Sequence, residues 1–439
     1  MLVAAERIPA AERPNFVIIL ADDLGYGDLA CYGNVVNQTP HLDQMASEGL
    51  RFTDFHSNGP MCSATRAALL SGKYQHRFGR GFEAAISQRT QYDEGLPLST
   101  VTIAEALKEA GYATAFYGKW HLGFHPPLMP PQQGFDDFRG LVTGGGDHHS
   151  HINRSGGKDW WHNNEVAMER GSSTQLLTRH SQDYSRAYKD QPFFLYLAHL
   201  AIHFPWQGPD DSAYREEGVD YWDNKHGVPR GSNVGPRTRA MIESLDESVG
   251  QILGTLKEEG LDEKTMVIFT SDNGGYLRYD GGFHNISSNG PYRGQKTDIF
   301  EGGHRVPAIV RWPGRIEPGE TDELTATFDL FPTFLDLIDR DEQIAELELD
   351  GASLSPLLLE GQALPERMLF WRIRENKAAR RGPWKLVSLD GEVSLYNLDE
   401  AMDESDDVAD DHRDFVAELQ AALADWEADV DRSGLQTLR

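Results

Sequence analysis

The chain has 439 residues, 39% hydrophobic and 25% charged, as expected of a globular protein with one large domain and a smaller companion. Its 69 acidic residues against 41 basic ones leave a formal charge of −28, which repels nucleic acid and anionic membranes at long range and excludes both as expected partners. No apolar run reaches the roughly 18 residues that a membrane-spanning helix needs. With two cysteines, at most one disulfide is allowed, so cysteine usage does not identify the compartment.

The opening MLVAAERIPAAERPN lacks the basic start and apolar stretch of a signal peptide. This leaves a cytoplasmic protein or one whose signal was removed; a periplasmic or extracellular location is the expectation. The first strand signal is NFVIIL (15–20), an apolar run that ends in Ala21-Asp22-Asp23. Two adjacent carboxylates at a buried strand end raise each other's pKa unless a cation neutralises them. HLDQMASEGL follows as an amphipathic helix, with Thr39 as cap, Pro40 in the first turn and Gly49 at the stop.

GPMCSATRAALLSGK (59–73) then places Cys62 between a turn and a helix-like stretch, with Arg66 four residues on. TIAEALKEAGY reads as a helix closed by Gly111, and ATAFYG (113–118) as a strand running into Lys119-Trp120-His121. Lys119 and His121 are two apart on an extended segment, hence on one side of it. GLVTGGGDHHSHINRSGGKDWWHNN (140–164) is unlike a plain connector. Its glycines allow a folded loop, and His148, His149, His151, Arg154, Trp160 and Trp161 offer hydrogen bonds and stacking faces at an expected cleft rim.

PFFLYLA (192–198) is a strand leading toward His203, and a helix from about 239 to 260 carries Met241, Leu245, Val249, Ile252 and Leu256 on one stripe. TMVIFT (265–270) runs into Ser271-Asp272-Asn273, a second oxygen-rich strand end whose donors suit Ca2+ or Mg2+ rather than zinc. Lys296 lies in GPYRGQKTDIFEGGHRVP. After Leu349 the texture changes: LFWRIR, WKLVSL and VSLYNL look like short antiparallel strands. FVAELQAALADW then reads as a helix with Phe415, Leu419, Leu423 and Trp426 on one face.

Alternating strands and helices predict an α/β domain over 1–348 with a large, mostly parallel or mixed sheet flanked by helices. A small α+β domain with a short antiparallel sheet is expected over 349–439. Ligands of such sheets sit beyond the carboxyl ends of the strands, so Asp22, Lys119, His203 and Asp272 are expected to converge on one cleft. Alone, each reads as a surface charge or a satisfied histidine. Together they supply oxygen donors for a divalent ion, cations for an anionic group and histidines for proton transfer.

These residues carry a resemblance. CSATRAALLSG resembles the signature of the formylglycine-dependent sulfatases, of the alkaline-phosphatase-like superfamily: Cys, any residue, Pro or Ala, Ser or Thr, Arg, then an Ala-Leu run. The similarity extends in order through PNFVIILADDLGYGD, GYATAFYGKWHLG, the His-Phe-Pro segment, FTSDNGG, GQKTDIFEGGHRVPAIVRWPG and the terminal WKLV and LYNL strands. It implies that Cys62 is converted by a separate maturase into formylglycine, whose hydrate attacks sulfur before the aldehyde reforms and expels sulfate.

By the same resemblance Asp22, Asp23, Asp272 and Asn273 hold a divalent ion, usually Ca2+, and Lys119 and Lys296 clamp the sulfate. Arg66 steadies the diol, His121 assists its collapse and His203 protonates the leaving alcohol. All ten positions carry the family's residue types. Ala64 stands where many members have proline, which favours a radical-type maturase over the oxygen-dependent one. The polar, tryptophan-bearing rim favours a sulfated glycan as substrate. An aryl sulfatase, a phosphonate or phosphate monoester hydrolase and a non-catalytic glycan-binding relative with unconverted Cys62 remain as alternatives.

Overall fold

The computed structural model describes residues 13–221 and 227–437. A ten-stranded mixed sheet forms the centre. In chain order its strands are β1 (Asn15–Ala21), β2 (Leu50–Phe52), β3 (Ala113–Lys119), β4 (Asp137–Leu141), β5 (Trp161–His162), β6 (Glu165–Val166), β7 (Phe193–Ala198), β8 (Thr265–Ser271), β9 (Ala308–Arg311) and β10 (Gly319–Thr321). Across the sheet they run β10-β2-β9-β8-β1-β7-β3-β4-β5-β6. The five central strands β8, β1, β7, β3 and β4 are parallel, whereas β9 is antiparallel to both β8 and β2.

Both faces of the central strands are covered, which is why they read as unbroken apolar runs rather than as an alternation. Phe16, Ile18 and Leu20 point into one core, where Phe16 stacks on Phe334 with ring centroids 4.1 Å apart. Val17 and Ile19 point into the other, against the stripe Met241, Leu245, Val249, Ile252 and Leu256. That stripe belongs to a helix at Gly235–Glu258, which starts before the expected 239 because Pro236 is accommodated in its first turn. The helix over Pro40–Ser47 keeps its Thr39 cap position, and Ile103–Glu109 is closed at its start by a Thr102–Glu105 capping box. Among the described residues no helix is long and apolar enough to cross a membrane.

A second, four-stranded antiparallel sheet lies toward the C-terminus: β11 (Met368–Ile373), β12 (Asn376–Arg381), β13 (Trp384–Leu389) and β14 (Glu392–Asn397). The sequence signal covers three of these strands and misses β12, NKAARR, which has neither β-branched nor aromatic residues. Tertiary context makes it a strand: Ala378 and Ala379 are buried, and Arg380 reaches Asp54 Oδ2 at 2.7 Å and Glu301 Oε2 at 2.9 Å. The β13–β14 turn is a two-residue hairpin with Asp390 (φ 51°) and Gly391 (φ 90°) both left-handed, the conformation that Asp-Gly favours. Leu419, Leu423 and Trp426 of the helix over Arg413–Thr437 close this core, which also takes in Ala68, Ile299 and Phe300.

Candidate active site

The four central strands β8, β1, β7 and β3 are adjacent, and each releases its polar residues at the same carboxyl edge. This gathers Asp272-Asn273, Asp22-Asp23, His203 and Lys119-His121 as the sequence predicts. Opposite them, Cys62 opens a fully buried helix over Cys62–Ser71. Arg66 lies one helical turn along on the same face. Its Nε and Nη2 donate to Asp272 Oδ2 at 3.1 and 2.8 Å, and Nη1 donates to the Lys119 carbonyl at 2.6 Å.

The acids and lysines interlock. Lys119 Nζ donates to Asp22 Oδ2 at 2.6 Å, while Lys296 Nζ contacts Asp23 Oδ1 and lies 3.1 Å from the Cys62 sulfur. The Cys62 sulfur is 3.8 Å from Asp22 Oδ1. Burial pushes the Asp22 carboxyl up to about 7, with Asp272 adding to it. Burial also acts to raise Asp272, but Arg66 and both lysines hold that carboxyl below the usual range. The Cys62 thiol is pushed up to about 11 by burial despite the two lysines.

A divalent cation fits this donor set. Ligand oxygens of Asp22, Asp23 and Asp272 lie within 4.8 Å of one another. Asn273 Nδ2 donates to Asp23 Oδ1 at 2.9 Å, whereas its buried Oδ1 has no hydrogen-bond partner. An orphaned buried acceptor beside three crowded carboxylates is the arrangement that a hard cation resolves. Asp23 (φ 65°) and His121 (φ 57°) are both left-handed without being glycine, which marks strained backbone at this edge.

The histidines are held by their ring nitrogens. His121 Nε2 lies 2.8 Å from the Ile86 carbonyl and so carries the proton there, leaving buried Nδ1 without a partner. His203 Nδ1 lies 2.8 Å from the Phe204 carbonyl. Burial, then the nearby lysines, hold both imidazoles well below the usual range and therefore neutral. Gly144 and Gly145 let the chain approach them: a Cβ at Gly144 would lie 2.5 Å from His121 Cε1, and one at Gly145 3.0 Å from His203 Cε1. Cys62, His121, His203 and Lys296 line one cavity of about 250 Å³.

All ten residues singled out in the sequence thus meet in one region. The segment 144–164 does not behave as expected: Trp160 is fully buried and stacks on buried His151 at 4.2 Å, and buried His148 lies between Ser173 and the His203 carbonyl. Those rings build the wall rather than face a sugar, because Trp160 belongs to the core that also holds Leu141, Leu176 and Leu177. The aromatic rings on the cavity belong to Phe204, Tyr276 and Tyr279, and the one member of the expected set that lines it is Arg154. Ser63 was missed too: its hydroxyl donates to the His121 carbonyl at 3.0 Å and accepts from Ile86 N at 3.2 Å. Its signal was its place beside Cys62.

The family profile named Sulfatase matches residues 14–339. Human arylsulfatase A is 34% identical over 421 residues, covering 88% of this chain and 76% of that protein. N-acetylgalactosamine-6-sulfatase of Rattus norvegicus is 34% identical over 397 residues, covering 86% of this chain and 72% of that protein. The crystal structure of Ps i-CgsB in complex with k-i-k-neocarrahexaose is 27% identical, covers 94% of this chain and 92% of its own, and superposes with a TM-score of 0.82. With the family profile spanning most of the chain and these relatives each covering more than four-fifths of it, the chain belongs to the sulfatase family and is a sulfuric ester hydrolase.

Proposed function

We propose that this sulfatase removes sulfate from a sulfated saccharide, with Cys62 converted to formylglycine and Ca2+ held by Asp22, Asp23, Asp272 and Asn273. The observation that carries the reading is the place of the Cys62 sulfur, 3.1 Å from Lys296 Nζ at the base of a cavity that both histidines line. As a thiol pushed up to about 11 by burial, Cys62 stays protonated at neutral pH and is a poor nucleophile. Formylglycine would supply a hydrated aldehyde whose hydroxyl attacks sulfur. The cation would supply positive charge toward the sulfate oxygens and acidify that hydroxyl.

The remaining work falls to side chains of this chain. Lys119 and Lys296, buried and preorganised, bind the sulfate oxygens and stabilise charge that develops on them. Arg66 fixes Asp272 through two hydrogen bonds and orients residue 62 from one turn away. With Nε2 committed to Ile86, His121 has Nδ1 available to take a proton from residue 62. His203, with Nδ1 committed to Phe204, exchanges a proton with the leaving oxygen through Nε2. Burial and then the lysines lower its proton affinity; an anionic ester seated on the lysines offsets their part of that effect and so favours the protonated ring.

A saccharide is favoured because Ser87, Gln88, Ser155, Tyr276 and Tyr279 offer hydroxyl and amide groups to the cavity. The rat relative named for N-acetylgalactosamine 6-sulfate and the structure bound to a neocarrahexaose agree with it. Ala64, where many family members have proline, favours a radical-type maturase. The test is the mass of the peptide bearing residue 62 after coexpression with such a maturase: conversion makes it about 18 Da lighter, the loss of hydrogen sulfide and gain of one oxygen. Full activity at the thiol mass would remove formylglycine from the reading. Faster turnover of an aryl phosphate than of the matched aryl sulfate would move it to a phosphomonoesterase.

A further inference from the structure

The charge of the cavity runs against the charge of the chain. The chain has 69 acidic residues to 41 basic ones, and in other clefts acids outnumber bases: Asp322, Glu323 and Glu366 stand with Asp54 and Asp399 against Arg305, Arg367 and Arg380 in one, and Glu348, Asp350 and Asp429 against Lys73 and Arg77 in another. Among the described residues lining the active-site cavity there is no Asp or Glu, while Arg89, Arg154 and Lys296 line it. Lys296 is committed to Asp23 and residue 62 at the base. Arg89 and Arg154 are exposed and have no part in the reaction described above.

Both arginines stand on supported backbone. The Arg154 carbonyl accepts from Tyr221 N at 2.9 Å, and Asn153 Oδ1 caps the turn through Ser155 N at 2.9 Å and Gly157 N at 3.0 Å. Arg89 lies three residues beyond Ile86, whose carbonyl holds His121, and pairs with Asp220, the residue before Tyr221. The pair is therefore linked through 220–221 at the mouth of the cavity. A cavity of about 250 Å³ holds roughly one sugar unit. An anion that reaches these arginines while an ester sulfate sits at residue 62 must lie on the same sugar or the next one.

We propose that Arg154, with Arg89 beside it, is a specificity-determining residue that binds a second anionic group, sulfate or carboxylate, so that the preferred substrate is a multiply anionic saccharide. The proposal rests on the sulfate-ester reading above. A guanidinium fork matches the paired oxygens of either group. The basic mouth also offsets the long-range repulsion that a chain of charge −28 exerts on a polyanion.

The test compares kcat/KM on three saccharides with the same sulfate ester: one with no other charge, one with a second sulfate and one with a neighbouring carboxylate. p-Nitrophenyl sulfate reports the basic reaction. Wild type should favour a doubly anionic substrate by about ten- to a hundredfold, the range of a charge-assisted hydrogen bond. The two anionic arms tell which group is read. In Arg154→Ala this preference should fall to within about threefold, with Arg154→Lys between, and added salt should lower it in wild type. A ratio of two substrates does not depend on how much protein is folded or converted. A wild-type ratio near one, or a ratio that survives Arg154→Ala, overturns the proposal while p-nitrophenyl sulfate turnover leaves the sulfatase reading standing. Turnover of none of the sulfate esters removes both.

Discussion

Replacing Gly144 by alanine should lower activity through His121 rather than through the fold. The added Cβ would lie 2.5 Å from both Cε1 and Nε2 of His121. Carbon contacts settle at roughly 3.5 Å, so the ring must give by about 1 Å. Gly144 is not among the glycines with left-handed φ, so alanine strains the contact and not the backbone. The ring has little freedom, since it is buried and its Nε2 is bound to the Ile86 carbonyl at 2.8 Å. Displacing a catalytic group by about 1 Å costs on the order of 10²-fold, about 2.7 kcal/mol of transition-state stabilisation. Overpacking adds a stability loss of about 1–3 kcal/mol, small enough for the fold to survive. The assay is kcat/KM on an aryl sulfate at matched conversion of residue 62, with thermal unfolding alongside. On a His121→Ala background the same substitution should cost less than about threefold, because the partner it disturbs is gone. Wild-type activity in Gly144→Ala, or the full loss on the His121→Ala background, refutes the argument.

Three further outcomes follow from the same geometry. Ca2+ added to chelated protein should raise Tm, by the equivalent of about 2.7 kcal/mol at a hundred times Kd, and Asn273→Ala should reduce that shift; an equal shift in both would remove Asn273 Oδ1 as a ligand. Lys385, fully buried with its Nζ 2.9 Å from both Glu301 and Glu404, holds the small sheet to the Lys296 segment. Lys385→Met should cost about 3–5 kcal/mol in chemical denaturation by leaving the buried Glu404 carboxylate without its cation beside Glu301, which keeps Arg305 and Arg380, and a loss under about 1 kcal/mol would contradict this. Burial lowers the His199 imidazole to about 3, so below its unfolded value near 6.5 the unfolded chain takes up a proton that the folded one refuses. Stability is therefore lost as pH falls from about 6.5, by about 2 kcal/mol at pH 5 from this residue alone, and His199→Gln should recover most of that difference between pH 7 and pH 5 in urea titrations.

What the sequence determined by itself was local chemistry. Apolar runs over 15–20, 113–118, 192–198 and 265–270 each ended in residues that a core rejects, and the 3.6-residue stripe from Met241 to Leu256 marked the helix that covers them. The rule that ligands gather at the carboxyl ends of parallel strands then placed Asp22, Lys119, His203 and Asp272 together, and the structure sets their strands side by side. Strand order and side-chain pairing were beyond it, because contacts between Asp23 and Lys296 or Arg66 and Asp272 join segments more than two hundred residues apart and leave no periodic trace. The same holds for β12, a poor strand by composition that pairing on both sides and the buried Arg380–Asp54 contact make into one. Residues 144–164 mislead for the complementary reason. Composition marks tryptophan and histidine as sugar-binding groups, but whether a ring faces a cleft or its own wall depends on what packs against it, and only the tertiary structure turned Trp160 inward and left Arg154 at the mouth.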